Sequence, residues 1–145
     1  MRFMILLKAD TTTEAGVLPS EKQLAEMSKY NEELVNAGVL LAAEGLQPCY
    51  KGARVMFSGD ARTAVDGPFP DANGLIAGFW IFETASREEA IEWVKRCPNP
   101  LVGEAEIEIR QVYEAEDFGA EFTPELREAE ENMRTQIAEA PGTRS

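Results

Sequence analysis

The stretch VDGPFPDANGLIAGFWIF, residues 65–82, decides the fold. Its second half shows no polar alternation. Written as a strand, it sets Leu75, Ala77, Phe79 and Ile81 on one face and Ile76, Gly78, Trp80 and Phe82 on the other. Successive strand side chains point to opposite faces, so a strand apolar on both sides belongs in the interior of a sheet. The Asp66-Gly67-Pro68-Phe69 turn precedes it. Pro68 fixes its own backbone and pushes Gly67 toward extended geometry, so this turn is rigid.

A second stretch has the same character. Arg2 to Lys8 reads as a strand with Phe3, Ile5 and Leu7 on one face and Met4 and Leu6 on the other. A loop over Asp10–Pro19 follows. A helix then starts at Ser20, whose spacing to Gln23 fits a capping box. It runs to Gly38, with Leu24, Met27, Leu34 and Val35 as its apolar stripe and Tyr30 and Asn31 on or beside it. Val39–Leu46 reads as a strand. Ala53–Ser58 and Arg62–Asp66 read as a hairpin turning at Gly59-Asp60. A second helix is capped by Ser86 and Glu89 and ends near Cys97, before Pro98. The last strand lies within residues 103–113, with Ala105, Ile107 and Ile109 inward and Glu106, Glu108 and Arg110 outward, the alternation of an edge strand. Thr123 and Pro124 open a third helix with a thin stripe of Leu126, Ala129, Met133 and Ile137. The terminal APGTRS is expected to fray.

Strand, helix, strand, strand, helix, strand is the order of the ferredoxin-like split β-α-β fold, an α+β antiparallel sheet, here with an extra hairpin and a C-terminal helix. That topology places the first and third core strands centrally, and these are the two with apolar residues on both faces. The expected layout is a ferredoxin-like domain over 1–118 and an acidic helical extension over 119–145. Both core helices cover one sheet face. The other exposes apolar side chains worth several kcal/mol when buried, at about 25 cal/mol per Å2. A second copy set face to face covers it, as a homodimer forming an α+β barrel. The third helix folding back is the alternative cover.

Composition narrows the chemistry. The net charge is −12, with 14 Lys and Arg against 26 Asp and Glu, and no basic cluster that would displace counterions from nucleic acid or favour anionic membranes. No apolar run approaches the ~20 residues of a membrane span, and a cytoplasmic protein is expected. Two scattered cysteines, Cys49 and Cys97, read as free thiols. Histidine is absent, which excludes imidazole acid/base chemistry, Ser-His and Cys-His nucleophiles and His-ligated zinc. No cofactor or metal motif is present.

Several side chains are candidates for a site. Asp66 has two readings: a turn organiser accepting backbone hydrogen bonds, or a carboxylate aimed into a cavity against the sheet, where apolar surroundings make it an acid or base. Arg54, Arg62 and Arg110 could hold an anionic substrate, against the reading as solvated strand charge. Lys8 ends a central strand; its alternative is a snorkelling surface Lys. Tyr30 and Asn31 need polar partners beside a core, from a ligand or from the fold. Glu44 follows an apolar strand as a second carboxylate. Trp80 and Trp93 read as core.

Taken in order, RFMILLKAD, GVLPSEKQLAEMSKYNEELVNAGVLLAAEGLQP, KGARVMFSG, VDGPF, LIAGFWIFETASREEAIEWVKRCPNP, GEAEIEIRQVYEAEDFG and TPELRE resemble the YCII-related proteins, in particular their DGPF-domain group. The resemblance implies a ferredoxin-like dimeric α+β barrel. It also implies, for the wider superfamily, small-molecule enzymes with a His-Asp pair, some acting in aromatic degradation. For the DGPF group it implies a link to alternative sigma factors. Without histidine the His-Asp pair does not carry over, and Asn73 stands where many members have Lys. The function this implies is a cofactor-independent small-molecule enzyme. It would carry out proton transfer, isomerisation or elimination on an organic acid or aromatic, with Asp66 as acid/base. The alternative is a small-molecule sensor or regulatory partner of an alternative sigma factor.

Overall fold

The computed structural model describes residues 1–70 and 74–141. It divides into two compact units, 1–112 and 113–145. The first carries β1 (Arg2–Lys8), α1 (Thr11–Glu14), α2 (Glu21–Asn36), β2 (Leu40–Gly45), β3 (Ala53–Ser58), β4 (Ala61–Asp66), β5 (Ile76–Glu83), α3 (Arg87–Lys95) and β6 (Ile107–Gln111). The second carries α4 (Pro124–Glu139). The expected boundary at 118/119 falls inside the second unit.

Four strands form an antiparallel sheet in the order β2-β5-β1-β6, the ferredoxin-like order, with β1 and β5 central. The sheet is open rather than a closed barrel. Phe3 lies opposite Phe82, Ile5 opposite Trp80 and Ile109, and Leu7 opposite Gly78 and Ile107. These side chains share the face that α2 and α3 cover. Phe3, Ile5, Leu34 and Phe82 are nearly solvent-free there, each worth about 1.5–3 kcal/mol of transfer free energy. Met4 opposite Ile81 and Leu6 opposite Phe79 occupy the second face. They are half-buried and stand apart from the helix-side core.

The helix ends follow their caps. Ser20 accepts from the Gln23 amide while the Gln23 side chain accepts from the Ser20 amide, and Gly38 takes a φ of 72° just past the helix. Thr123 caps α4, with Pro124 in its first turn.

Four details differ from the sequence reading. Asp10–Pro19 is not all loop: the Asp10 carboxylate accepts from the Thr13 amide and Thr13 Oγ1 from the Asp10 amide, closing the one-turn helix α1. The buried stripe of α2 is Tyr30 and Leu34 with Met27 beside them; Leu24 and Val35 are mostly exposed, because the aromatic Tyr30 rather than Val35 fills the space under the helix. At α3, Glu89 accepts from the Ala85 amide rather than from Ser86, although Ser86 does accept from the Glu89 amide. Ala105 is exposed, because β6 begins only at Ile107. The end of the chain from residue 142 and the turn residue Asn73 lie outside the described residues.

The β3–β4 hairpin forms its own two-stranded sheet, with Ala53 opposite Asp66 and Phe57 opposite Arg62. In the second unit, Phe118 stacks between Tyr113 and Phe122, and Arg127 covers Phe122 and donates to its carbonyl. No residue of α4 is buried.

Candidate functional site

A cleft lies between α2 and the β2–β5 side of the sheet. Gln23, Met27 and Asn31 come four residues apart on α2, so they stack along one stripe of the helix. That stripe faces Ala43 of β2 and Ala77, Gly78 and Trp80 of β5. The small residues Ala43, Ala77 and Gly78 keep the floor low under the helix, which leaves a space of about 330 Å3. Pro98, Asn99 and Pro100 close one end. An adjoining cleft of about 340 Å3 shares Leu7, Gln23, Ala77 and Pro100 as walls and continues toward Asp10, Thr13 and Gln47.

One hydrogen bond orients the polar part of this surface. Trp80 Nε1 donates to Asn31 Oδ1 at 3.0 Å. An indole N–H only donates, so it must face the amide oxygen of Asn31, and the two Nδ2 donors are turned elsewhere. Tyr30 packs edge-on against Trp80, with ring centroids 6.4 Å apart, and donates from its hydroxyl to the Trp93 carbonyl at 2.7 Å. Burial raises the Tyr30 phenol far above its ordinary range, with the Cys97 thiol adding to the shift. In this structure the Tyr30 hydroxyl is a neutral donor engaged within the fold. Among the described residues no Lys or Arg lines either cleft; Glu26 and Glu44 border the first and Asp10 the second.

The remaining candidates lie in two other places. Lys8 and Arg110 both pair with Glu108, at 3.2 Å each. Arg110 first, then Lys8, hold its carboxylate below the usual range. Glu44 lies opposite Phe79, so its side chain shares the second face of the sheet and only borders the cleft. The substrate-holding reading of Lys8 and Arg110 thus meets an existing ion-pair cluster on that face.

Arg54 and Asp66 sit with the Asp-Gly-Pro-Phe turn. The Arg54 guanidinium lies 3.9 Å from the centre of the Phe69 ring. The Phe69 amide donates to Cys49 Sγ at 3.2 Å, and the Cys49 amide donates to the Glu14 carboxylate at 3.2 and 3.3 Å. Hydrogen bonding to Glu14 raises the Cys49 thiol, a shift that the Phe69 amide opposes. Gly67 donates to the Gly52 carbonyl, its bond to Pro68 is cis, and a Cβ at Gly67 would overlap the Cys49 carbonyl. The turn is therefore clamped through Gly67 and Phe69. Asp66 is exposed at the end of β4 and is not among the residues bordering the two clefts. Its carboxylate has no hydrogen bond or ion pair among the described residues. Arg62 folds back onto the hairpin turn, donating to the carbonyls of Gly59 and Ala61.

Sequence reading singled out Asn31 but missed its cleft partners Gln23, Met27 and Trp80. The four-residue spacing of Gln23, Met27 and Asn31 was the available signal, overlooked because Leu24 drew the stripe to the adjacent face. The Glu14–Cys49 contact, 35 residues apart in the chain, had no local signal.

No helix among the described residues is long and apolar enough to cross a membrane. Among the described residues no group of three or more acidic or thiol side chains is placed to hold a metal ion. The chain is 26% identical over 95 residues to an uncharacterized protein of Rhizobium meliloti (strain 1021), covering 64% of this chain and 77% of that protein. Its fold is similar to that of 5-chloro-2-hydroxyhydroquinone dehydrochlorinase (TftG) from Burkholderia phenoliruptrix AC1100, solved in complex with 2,5-dihydroxybenzoquinone. That likeness has 16% identity and a TM-score of 0.42, over 82% of this chain and all of the other. The family model of the YCII-related domain matches residues 1–116, and the chain belongs to that family.

Proposed function

We propose that this protein binds a small, neutral, planar organic molecule in the cleft between α2 and β5 and acts on it without a cofactor. The observation that carries the reading is the Asn31–Trp80 pair: a fixed indole beside an amide whose Nδ2 donors, without a partner among the described residues, can meet an acceptor on a guest. Apolar walls with a few placed polar groups are the common form of a small-molecule site, and about 330 Å3 lies at the small end of the usual range of about 300–1,000 Å3. With no cation among the described wall residues, a carboxylate-bearing guest would have to shed its hydration without an ion pair in return. An aromatic or quinonoid compound fits this surface better than an organic acid.

The chemistry open to such a site is proton transfer, isomerisation or elimination. Its proton carrier in this reading is Glu26, the α2 carboxylate that borders the cleft, while Glu44 turns to the second face of the sheet and Asp66 stands outside. A thermal-shift panel of neutral phenols and quinones, each paired with its carboxylated analogue, tests the proposal. Hits would then be followed for turnover. The neutral member of each pair should raise Tm in the wild type and lose that effect in Asn31→Asp. Equal stabilisation by the carboxylates, or indifference to Asn31→Asp, would overturn the assignment.

A further inference from the structure

The β3–β4 hairpin is unusual for a soluble domain. Eleven of its twelve strand residues are exposed, Arg54 alone being half-covered. Val55 and Met56 are each 57% exposed and Phe57 71%. A lone two-stranded hairpin is at best marginally stable in water. Both of its outer edges are unpaired among the described residues, which leaves rows of N–H and C=O groups open to another strand.

The β4 edge carries ARTAVD, and its charges match a second copy of itself. Consider two β4 strands paired antiparallel about a two-fold axis at Ala64. Ala64 then faces Ala64 of the second copy, Thr63 faces Val65, and Arg62 faces Asp66, twice. Shifting the axis to Thr63 sets Asp66 against Asp60 of the other copy, a like-charge contact. Shifting it to Val65 sets Arg62 against Pro68, which has no N–H to give. Of these three registers only the one centred on Ala64 opposes unlike charges, and opposite charges directly across a strand pair stabilise while like charges destabilise. Arg62, Ala64 and Asp66 lie on the hairpin face that also carries Val55 and Phe57. The pairing would therefore join the two apolar faces into one surface. The contacts that now hold Arg62, to the Gly59 and Ala61 carbonyls and over the Phe57 ring, are solvent-exposed. The residue can exchange them for a carboxylate at little cost, and Asp66 has no partner to give up among the described residues.

We infer that the β4 edge is a self-association surface, in which two copies of this chain join their hairpins into a four-stranded sheet centred on Ala64 and closed by two Arg62–Asp66 ion pairs. This interface differs from a dimer formed through the second face of the main sheet, and it does not depend on what the cleft binds.

Sedimentation equilibrium of Arg62→Asp, Asp66→Arg and the double charge swap tests it. Each single reversal turns two attractions into two repulsions and should weaken self-association at least about tenfold. The swap restores opposite charges and should return the affinity to within about threefold of wild type. Ala64→Cys should form a disulfide-linked dimer under mild oxidation, and Ser58→Cys, away from the pairing edge, should not. The cross-link reads the register even if a charge reversal impairs folding. A chain that stays monomeric would overturn the inference. So would single reversals that leave a dimer intact, a swap that fails to rescue, or cross-linking equal at positions 58 and 64.

Discussion

Trp80 Nε1 donates to Asn31 Oδ1 across 3.0 Å, which ties the middle of α2 to the central strand β5 beside the cleft. Asn31→Leu would leave the indole N–H without an acceptor, which costs about 1–3 kcal/mol for a buried donor. Asn31→Asp keeps an acceptor and should be clearly the more stable of the two. Urea unfolding followed by Trp fluorescence checks the order. If the two variants were equally stable, the hydrogen bond would not be what holds the wall.

A different kind of constraint operates at the hairpin base. A Cβ at Gly67 collides with the Cys49 carbonyl, whereas one at Gly52 meets the same oxygen at an ordinary 3.5 Å. Gly67→Ala should cost about 1–3 kcal/mol, the usual range for overpacking, and Gly52→Ala far less. Limited proteolysis should also cut the 53–66 hairpin faster in Gly67→Ala. Equal urea midpoints for the two variants would show that the Cys49 backbone yields easily.

Tyr30→Phe removes the hydroxyl that donates to the Trp93 carbonyl and keeps the ring against Trp80. The expected loss is about 1 kcal/mol, with ligand-induced Tm shifts unchanged. A loss of those shifts would return Tyr30 to the list of ligand contacts.

The alkaline limb of stability follows from the same region. Burial pushes the Cys97 thiol up to about 11 from its ordinary 9.0, and burial also raises Tyr30 from 10.0. Both groups release their protons more readily in the unfolded chain, so deprotonation favours unfolding. The stabilisation is complete below pH 9 and drains away as pH rises toward 11. Cys97→Ala should flatten the first part of that decline and Tyr30→Phe the later part. Unfolding midpoints measured across this window check both. A decline unchanged in both variants would place its origin in other groups.

The central strands were legible because short apolar runs bounded by turn residues mark strands buried on both faces, and Ser20 with Gln23, Gly38 and Thr123 marked helix ends through local hydrogen bonds. The cleft was less legible. It exists because Ala43, Ala77 and Gly78 are small where α2 passes over them, and Ala77 and Gly78 come from β5, more than 30 residues further along the chain than α2 and β2. The Asp-Gly-Pro-Phe turn was read through its carboxylate. The structure instead clamps it through Gly67 and Phe69 against Cys49, a contact with no sequence-local signature. The Arg110–Glu108 pair was legible two residues apart on one strand, whereas Lys8 joins it only once β1 and β6 are set side by side.

Among the described residues the walls of the α2–β5 cleft carry no cation, while the chain as a whole is strongly anionic. A neutral guest approaching such a body feels no long-range pull or push, so its capture rate should be the same in dilute buffer and at high ionic strength. Discrimination among neutral guests would then rest on how long each one stays rather than on how quickly it arrives.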